Sequence, residues 1–250
     1  MEGGERLLLV LRSLNQIGPC TVLELHRSTN ISRPAIYRAV TTLCRHGYVE
    51  RIPKGSRFRV TSEVRLLSTG FRDDDWIAEA GGSAIAQVQK KVLWPTSLTT
   101  FDRGAMVIRE TTRHRSPFVF DTGSVGVRLP VLQSSQGLAY LAFCSREKRR
   151  IIINLLRSSP DPLDAIARDE KETDRLLRNT ARRGYGMRRG GIVEQTSSIA
   201  VPLRIENDAL GAICVTFASS AVPLKEAIAV FVPHLREAAQ QIAAVALKRS

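Results

Sequence analysis

The 250-residue sequence has no apolar run approaching the roughly 18 residues that cross a bilayer, so no membrane-spanning helix is expected. Its one dense stretch, Leu7 to Leu11, is broken by Arg12 and has neither a basic flank nor a small-residue cleavage site, which argues against a signal peptide. Only four cysteines occur, Cys20, Cys44, Cys144 and Cys214; none forms a Cys-x-x-Cys pair and none has a histidine at zinc-ligand spacing. They are expected to be buried or half-buried thiols in a reducing cytoplasm. The four histidines, His26, His46, His114 and His234, are as scattered and nominate no metal site. No G-x-S-x-G elbow surrounds the possible nucleophiles Ser134, Ser135 and Cys144, and neither His114 nor His234 can be placed as their base. An enzyme built on the C-terminal half therefore ranks behind a binding protein, and no catalytic residue, metal or cofactor is expected.

What is present in excess is positive charge. The formal net charge is +13, from 37 Lys and Arg against 24 Asp and Glu. Residues 1–72 carry a surplus of 7 and the remaining 178 residues a surplus of 6, so the excess is concentrated at one end. A basic balance favours polyanionic partners, and its concentration indicates which part of the chain meets them.

That basic end reads as three helices and a hairpin. Leu7, Leu8, Val10, Leu11, Leu14 and Ile17 fall at helical spacing until Gly18-Pro19. Thr21-Val-Leu-Glu24 is a capping box that starts a short second helix ending near Thr29-Asn30. Ser32-Arg33-Pro34 opens a third, with Ile36, Ala39, Val40 and Leu43 inward and Arg38, Thr41, Thr42 and Arg45 outward. A short helix, a tight turn and a second helix with an Arg/Thr face fit a helix-turn-helix, although this helix alone would equally suit a small bundle with a solvated charged face. Gly47 ends it. Tyr48 to Ile52 and Arg57 to Val60 then read as two strands around Pro53-Lys54-Gly55-Ser56, a wing whose cations would lie on phosphates. The candidate DNA contacts are Thr21, Ser32, Arg33, Tyr37, Arg38, Thr41, Thr42 and Arg45, with Lys54, Arg57 and Arg59 from the wing.

Beyond the wing, Ser62 is placed to cap a helix carrying Val64, Leu67 and Phe71, and a further helix runs from Trp76 to Val92 across Ile77, Gly81, Ala84, Ile85 and Val88. The connector is either a dimer seam or an ordinary helix packed on its own domain. Strands are expected at Trp94–Phe101 and Ala105–Thr112 around Asp102-Arg103-Gly104, at Phe118–Phe120, and within Val125–Leu132. A helix starts at Gln136 and runs on past Ser145-Arg146-Glu147. Ile151–Leu156 and Lys171–Arg182 are helical. Ser198–Ile205 and Ala209–Phe217 form a hairpin, and a closing helix, Leu224–Leu247, is interrupted at Pro233. The fold class is α+β: a winged helix-turn-helix over 1–62, a linker helix over 63–78, and over 79–250 a domain of antiparallel sheet flanked by helices that binds an effector and oligomerises.

Several segments resemble the IclR family of bacterial transcription regulators. They are Ser32-Arg-Pro-Ala-Ile-Tyr-Arg38 with Leu43, Gly47, Tyr48 and Val49; Leu129 to Ala142; Arg183-Gly184-Tyr185; and Ser198-Ile-Ala-Val-Pro202 with Leu210-Gly-Ala-Ile213. Phe71-Arg-Asp73, Trp76-Ile77, Trp94-Pro-Thr96 and Met106 to Thr112 give a nearer likeness to activators of 3-hydroxyphenylpropionate degradation. The resemblance implies a winged-helix domain, a linker helix and a GAF-like effector domain. It also implies a homodimer or dimer of dimers on pseudo-palindromic double-stranded operator DNA. Two positions depart from the family pattern: Leu138 stands where Gly-Lys-Ala usually has its lysine, and Gln195 where glycine is common.

The implied pocket lies between the sheet and the helix that follows Gln133. Backbone N–H groups at that helix N-terminus suit a carboxylate without a lysine. The candidate effector residues are Trp94, Ser134, Ser135, Gln136, Gly137, Ala200, Cys214 and Thr216. Ser134 and Ser135 serve equally as caps, and Trp94 as plain core. The preferred function is an activator of an aromatic-acid (phenylpropionate-type) catabolic operon, answering to a small carboxylated aromatic effector and contacting RNA polymerase. A repressor of the same family released by its ligand is the alternative, because no residue pattern distinguishes the sign of regulation.

Overall fold

The computed structural model describes residues 2–53, 55–68, 77–118 and 124–248. The chain divides into two compact units, residues 1–72 and 73–250.

In the first unit, helices α1 (Gly3–Ile17), α2 (Val22–Thr29) and α3 (Arg33–Arg45) enclose Val10, Leu14, Leu25, Ile36, Val40 and Leu43. Full burial of each such side chain contributes about 1.5–3 kcal/mol. The predicted capping box forms: Glu24 N–H donates to the Thr21 hydroxyl at 3.2 Å, and Thr21 N–H donates to Glu24 Oε2 at 2.7 Å. Asn30 takes the left-handed conformation (φ 55°) that ends α2. Thr29 Oγ1 donates to the Leu25 carbonyl at 2.7 Å, and His26 Nδ1 lies 2.8 Å from the Ile31 carbonyl, fixing the turn into α3. Gly47, at φ 78°, turns the chain out of α3 into the wing.

The wing has one strand more than the sequence suggested. Alongside β2 (Val49–Arg51) and β3 (Arg57–Val60), the pair β1 (Cys20–Thr21) joins antiparallel to give the order β1-β3-β2. Cys20 and the capping Thr21, directly after a proline, carry no period of their own; Cys20 lies opposite Phe58, 38 positions away. Ser62–Ser68 forms a 3₁₀ turn where an α-helix was expected. Its start is held by Thr61, whose hydroxyl accepts from Glu63 N–H at 3.2 Å, and not by Ser62. The middle of the expected linker helix, residues 69–76, lies outside the described residues, as do Lys54 and most of the strand expected at Phe118–Phe120.

The second unit is a six-stranded antiparallel sheet in the order β6-β5-β4-β9-β8-β7. Its strands are β4 (Thr96–Asp102), β5 (Ala105–Thr111), β6 (Arg128–Pro130), β7 (Gly186–Arg189), β8 (Thr196–Ile205) and β9 (Asp208–Ala218). The expected strand within Val125–Leu132 shrinks to the three residues of β6. The hairpin at Arg103-Gly104 takes positive φ at both residues (45° and 84°), as a two-residue turn between twisted strands requires.

One face of the sheet bears Leu98, Ile199, Val201, Leu203, Ile213, Val215 and Phe217, packed under α4 (Gly82–Val92) and α8 (Leu224–Leu247). A π-helical turn, Ile77–Gly81, leads into α4. α8 is continuous through Pro233, contrary to the expected interruption. Proline removes a helical N–H, worth about 3 kcal/mol or more in a helix interior. Here Pro233 faces solvent, and Phe231, Val232, Leu235, Ala238 and Ile242 hold both halves on the sheet.

The other face bears Ala200, Ala212 and Cys214 beneath α5 (Ser135–Phe143), outside which lies α7 (Glu170–Arg183). α5 does not run on past Ser145. Cys144 is extended, and Ser145 caps a separate helix, α6 (Arg146–Arg157), by accepting from Lys148 N–H at 3.3 Å. The break is tied to the β8–β9 turn: Ser145 N–H donates to Asp208 Oδ1 at 2.9 Å, and Lys148 Nζ binds Oδ2. Burial raises the Asp208 pKa, but the Lys148 ammonium and the N–H groups of Ser145 and Ala209 outweigh it and leave the carboxyl below its ordinary value. No helix of the described residues is long and apolar enough to cross a membrane.

Candidate DNA-contact surface and effector cleft

The outward face of α3 is a row of side chains at four-residue spacing. Arg33, Tyr37, Thr41 and Arg45 lie one above the next, flanked by Arg38, and all are exposed. Tyr37, a large aromatic, is 56% exposed. The helix contains no acidic residue. Among the described residues no ion pair engages Arg33, Arg38 or Arg45, whereas Arg57 and Arg59 of the wing are paired. Ser32 occupies the N-cap position but its hydroxyl makes no capping bond, leaving it exposed beside the first turn. Such a helix presents cations and donors to base edges and phosphates at once.

Not every expected contact is so placed. The Thr42 hydroxyl donates to the Arg38 carbonyl at 3.0 Å, and the Thr21 hydroxyl is committed to the capping box. On the wing, Arg57 Nη1 donates to the Pro19 carbonyl at 2.6 Å and Nη2 pairs with Glu24 Oε1 at 3.1 Å. Arg59 Nε pairs with Glu50 Oε1 at 2.6 Å. Arg51, at the end of β2, is exposed and no ion pair engages it among the described residues; the sequence reading passed over it. A lone Arg at a strand end carries no periodic signal.

The second unit holds a narrow cleft on its α5 face, with about 50 Å³ of free volume. The walls are apolar at Pro95, Ile108, Leu129, Ile192 and Val193. They are polar at Ser97, Thr111, Ser198 and Thr216, and Gln136, Arg113 and Arg188 complete them. Ser97 Oγ and Thr111 Oγ1 lie 3.0 Å apart across β4 and β5.

Arg188 fixes one wall. Its guanidinium donates to Ser198 Oγ at 3.2 Å, to the Val193 carbonyl at 3.3 Å, and to the Thr196 carbonyl and hydroxyl at 3.2 and 2.8 Å, and it also binds the Gly190 carbonyl. The loop over residues 190–196 is thereby drawn across the cleft. Ser198 passes the connection inward, with its Oγ 2.8 Å from Ser135 Oγ, which donates to Gln136 Oε1 at 3.0 Å. Ser135 Oγ is also 3.7 Å from Cys214 Sγ, itself 3.7 Å from Thr216 Oγ1. This polar chain is buried between α5 and the sheet, where each member needs a partner.

The expected effector residues separate accordingly. Gln136 and Thr216 line the cleft, and Ser135 and Cys214 stand directly behind its wall. Ser134 is the fully buried cap of α5, accepting from Gly137 N–H at 3.1 Å. Gly137 allows a close approach: a Cβ there would sit 2.0 Å from the Val131 carbonyl oxygen. Ala200 packs against Ala139, Ala212 and Cys214 under α5. Trp94 lies outside the cleft, in the core on the opposite face, stacked on Phe118 at 4.4 Å between centroids and edge-on to Phe217 at 6.5 Å. Helical and strand periods do not say which sheet face a connecting residue joins; of the two readings of Trp94, the fold has the core one. Arg188 was missed because β7 is four residues long, charged and followed by two glycines, and Ser198, the first residue of the expected hairpin strand, was read only as sheet.

Three cysteines, Cys20, Cys144 and Cys214, are buried and Cys44 is half-buried. Burial pushes the Cys20 and Cys144 thiols up.

Comparison with known proteins adds independent findings. The family described as "Bacterial transcriptional regulator IclR C-terminal" matches residues 77–244, and "IclR helix-turn-helix domain" matches residues 5–53. Among solved structures, an IclR homolog from Microbacterium hydrocarbonoxydans complexed with 4-hydroxybenzoate is similar at 25% identity and a TM-score of 0.64, covering 100% of both chains. The Thermotoga maritima IclR is similar at 16% identity and a TM-score of 0.69, over 98% of this chain and 96% of that one. An IclR family regulator from Brucella abortus gives 22% identity and a TM-score of 0.59, over 97% and 92%.

Proposed function

The chain belongs to the IclR family of bacterial transcriptional regulators, with a DNA-binding helix-turn-helix and an effector-binding domain, and from that premise we propose that it activates an aromatic-acid catabolic operon. Its effector is a small carboxylated aromatic compound of the phenylpropionate or benzoate type. The observation that carries this reading is the make-up of the cleft. Apolar walls at Ile108, Leu129, Ile192 and Val193 suit a ring; the hydroxyls of Ser97, Thr111 and Thr216 suit ring substituents; Arg113 and Arg188 give the lining a positive bias for a carboxylate. The similar Microbacterium protein holds 4-hydroxybenzoate, which supports the same ligand class. The likeness to activators of 3-hydroxyphenylpropionate degradation at Trp94-Pro-Thr96 and Met106 to Thr112 supports the phenylpropionate member of that class.

In this reading the α3 row reads a half-site, and the protein works as a homodimer or dimer of dimers on an inverted repeat in the cytoplasm. Leu66 and Leu67, 59% and 57% exposed on the linker turn, support a seam there. Effector binding shifts the population toward the state that contacts RNA polymerase.

Calorimetry against a panel of benzoates and phenylpropionates, paired with transcript measurement in the presence and absence of the gene, tests the proposal. A saturable heat with one ring class and loss of the neighbouring transcripts on deletion are expected. No heat with any aromatic acid, and operator occupancy indifferent to all of them, would sink the sensing claim; a rise in transcripts on deletion would make the protein a repressor.

A further inference from the structure

The wing carries its own anions. Arg57 and Arg59 share the exposed face of β3, and each is met by a carboxylate of the same unit: Glu24 Oε1 at 3.1 Å from Arg57 Nη2, and Glu50 Oε1 at 2.6 Å from Arg59 Nε. Glu50 is the cross-strand partner of Arg59, and Glu24 reaches over Thr21, the cross-strand partner of Arg57. These pairs are half-open to solvent, with side-chain exposures of 50% and 40% in the first and 55% and 48% in the second. By contrast, no ion pair engages the arginines of α3 among the described residues.

We propose that Glu24 and Glu50 are intramolecular competitors for DNA phosphate, which hold down the affinity of the wing for duplex DNA and so leave recognition to α3. The proposal rests on the assignment of this unit as the DNA-contacting one. An exposed pair is worth about 0–1 kcal/mol, so a phosphate can displace either carboxylate. The displaced carboxylate cannot leave. Glu50 is fixed on the neighbouring strand, within about 5 Å of Arg59 measured between Cβ atoms, and repels the incoming phosphate. Each wing contact therefore yields less than a full phosphate neutralisation. The loss weighs most on DNA without the operator sequence, where backbone contacts supply essentially all of the binding.

The test is fluorescence anisotropy of the full-length protein on two duplexes of equal length across about 50–200 mM salt. One duplex is the DNA upstream of its own gene and the other is unrelated. Glu50→Gln is expected to tighten binding to the unrelated duplex about threefold to fivefold, the fold-change equivalent of one released exposed pair. It should also steepen the salt dependence by about one counterion. Glu24→Gln should act in the same direction, since glutamine still closes the capping box, and unchanged melting temperatures would confirm intact folding. Glu5→Gln removes an exposed carboxylate of α1 that, among the described residues, pairs with no arginine, and controls for net charge. Wild-type affinity and slope in both Glu24→Gln and Glu50→Gln, or an equal gain in Glu5→Gln, would overturn the proposal. Arg38→Ala is run alongside: if it weakens promoter binding while the glutamate variants are silent, only the competitor role falls, and if it too is silent the DNA-contact reading falls with it.

Discussion

Arg188 Nη2 donates to the Thr196 hydroxyl at 2.8 Å while Nη1 donates to the Thr196 carbonyl at 3.2 Å, so one guanidinium grips the end of the 190–196 loop by side chain and backbone together. The same group reaches Ser198, and through it Ser135 and the first turn of α5. The cleft wall, the edge strand and the buried helix are thus one connected unit.

Removing that grip should loosen the wall without unfolding the sheet. Arg188→Met keeps the stem and deletes the donors, leaving the Thr196 hydroxyl and several carbonyls to find water. A loss of about 1.5–3 kcal/mol in urea unfolding is expected, the range for hydrogen bonds to a charged group. Calorimetry should show effector binding at least tenfold weaker, about 1.4 kcal/mol. Arg188→Lys should not restore it, because an ammonium cannot reproduce the planar fork. Effector binding at wild-type strength in Arg188→Met would remove the residue from the site.

Two glycines should respond to alanine with opposite signs. At Gly137 a Cβ would lie 2.0 Å from the Val131 carbonyl oxygen, a backbone atom that cannot swing aside. Gly137→Ala should destabilise by about 1–3 kcal/mol or more. Gly82, in the first turn of α4, has nothing nearer than Glu110 Oε2 at 3.8 Å. Gly82→Ala should stabilise by up to about 1 kcal/mol through helix propensity. Denaturation midpoints of the two variants decide it.

Asp208→Asn should show a pH-dependent deficit. The native carboxyl is held below its ordinary value because the Lys148 ammonium and the Ser145 and Ala209 N–H groups together outweigh the opposing effect of burial. A depressed native pKa contributes stability that is complete above the ordinary value and disappears as pH falls through the depressed one. The deficit, about 1 kcal/mol for a largely solvated charged pair, should be constant near neutrality and shrink below about pH 4. Urea midpoints measured from neutral pH into acid should converge; a gap that persists or widens there would contradict the assignment.

On α3, Arg45→Ala and Thr42→Val should part company. Arg45 is exposed and no ion pair engages it among the described residues, whereas the Thr42 hydroxyl is bound at 3.0 Å to the Arg38 carbonyl of its own helix. Promoter affinity should fall about fivefold or more for Arg45→Ala, with a shallower salt dependence if the contact is to phosphate. Thr42→Val should remain within about twofold of wild type, since the lost bond is internal and small. Anisotropy titrations over several salt concentrations separate the two.

The sequence alone determined the elements whose cause is local. The Thr21–Glu24 box, the Ser32-Arg-Pro start, the left-handed Asn30 and Gly47, and the Arg103-Gly104 turn are each decided within four or five residues. The inward rows of α3 and α8 follow from the 3.6-residue period. Tertiary structure decided whatever depends on a partner far along the chain. Cys20-Thr21 is a strand only because Phe58 and Arg57 lie beside it. α8 passes through Pro233 because a sheet holds both halves. Trp94 joined the opposite core, and Arg188 and Ser198 became a cleft wall, because burial and hydrogen bonding are settled by which surfaces meet, and a period along one segment cannot encode that.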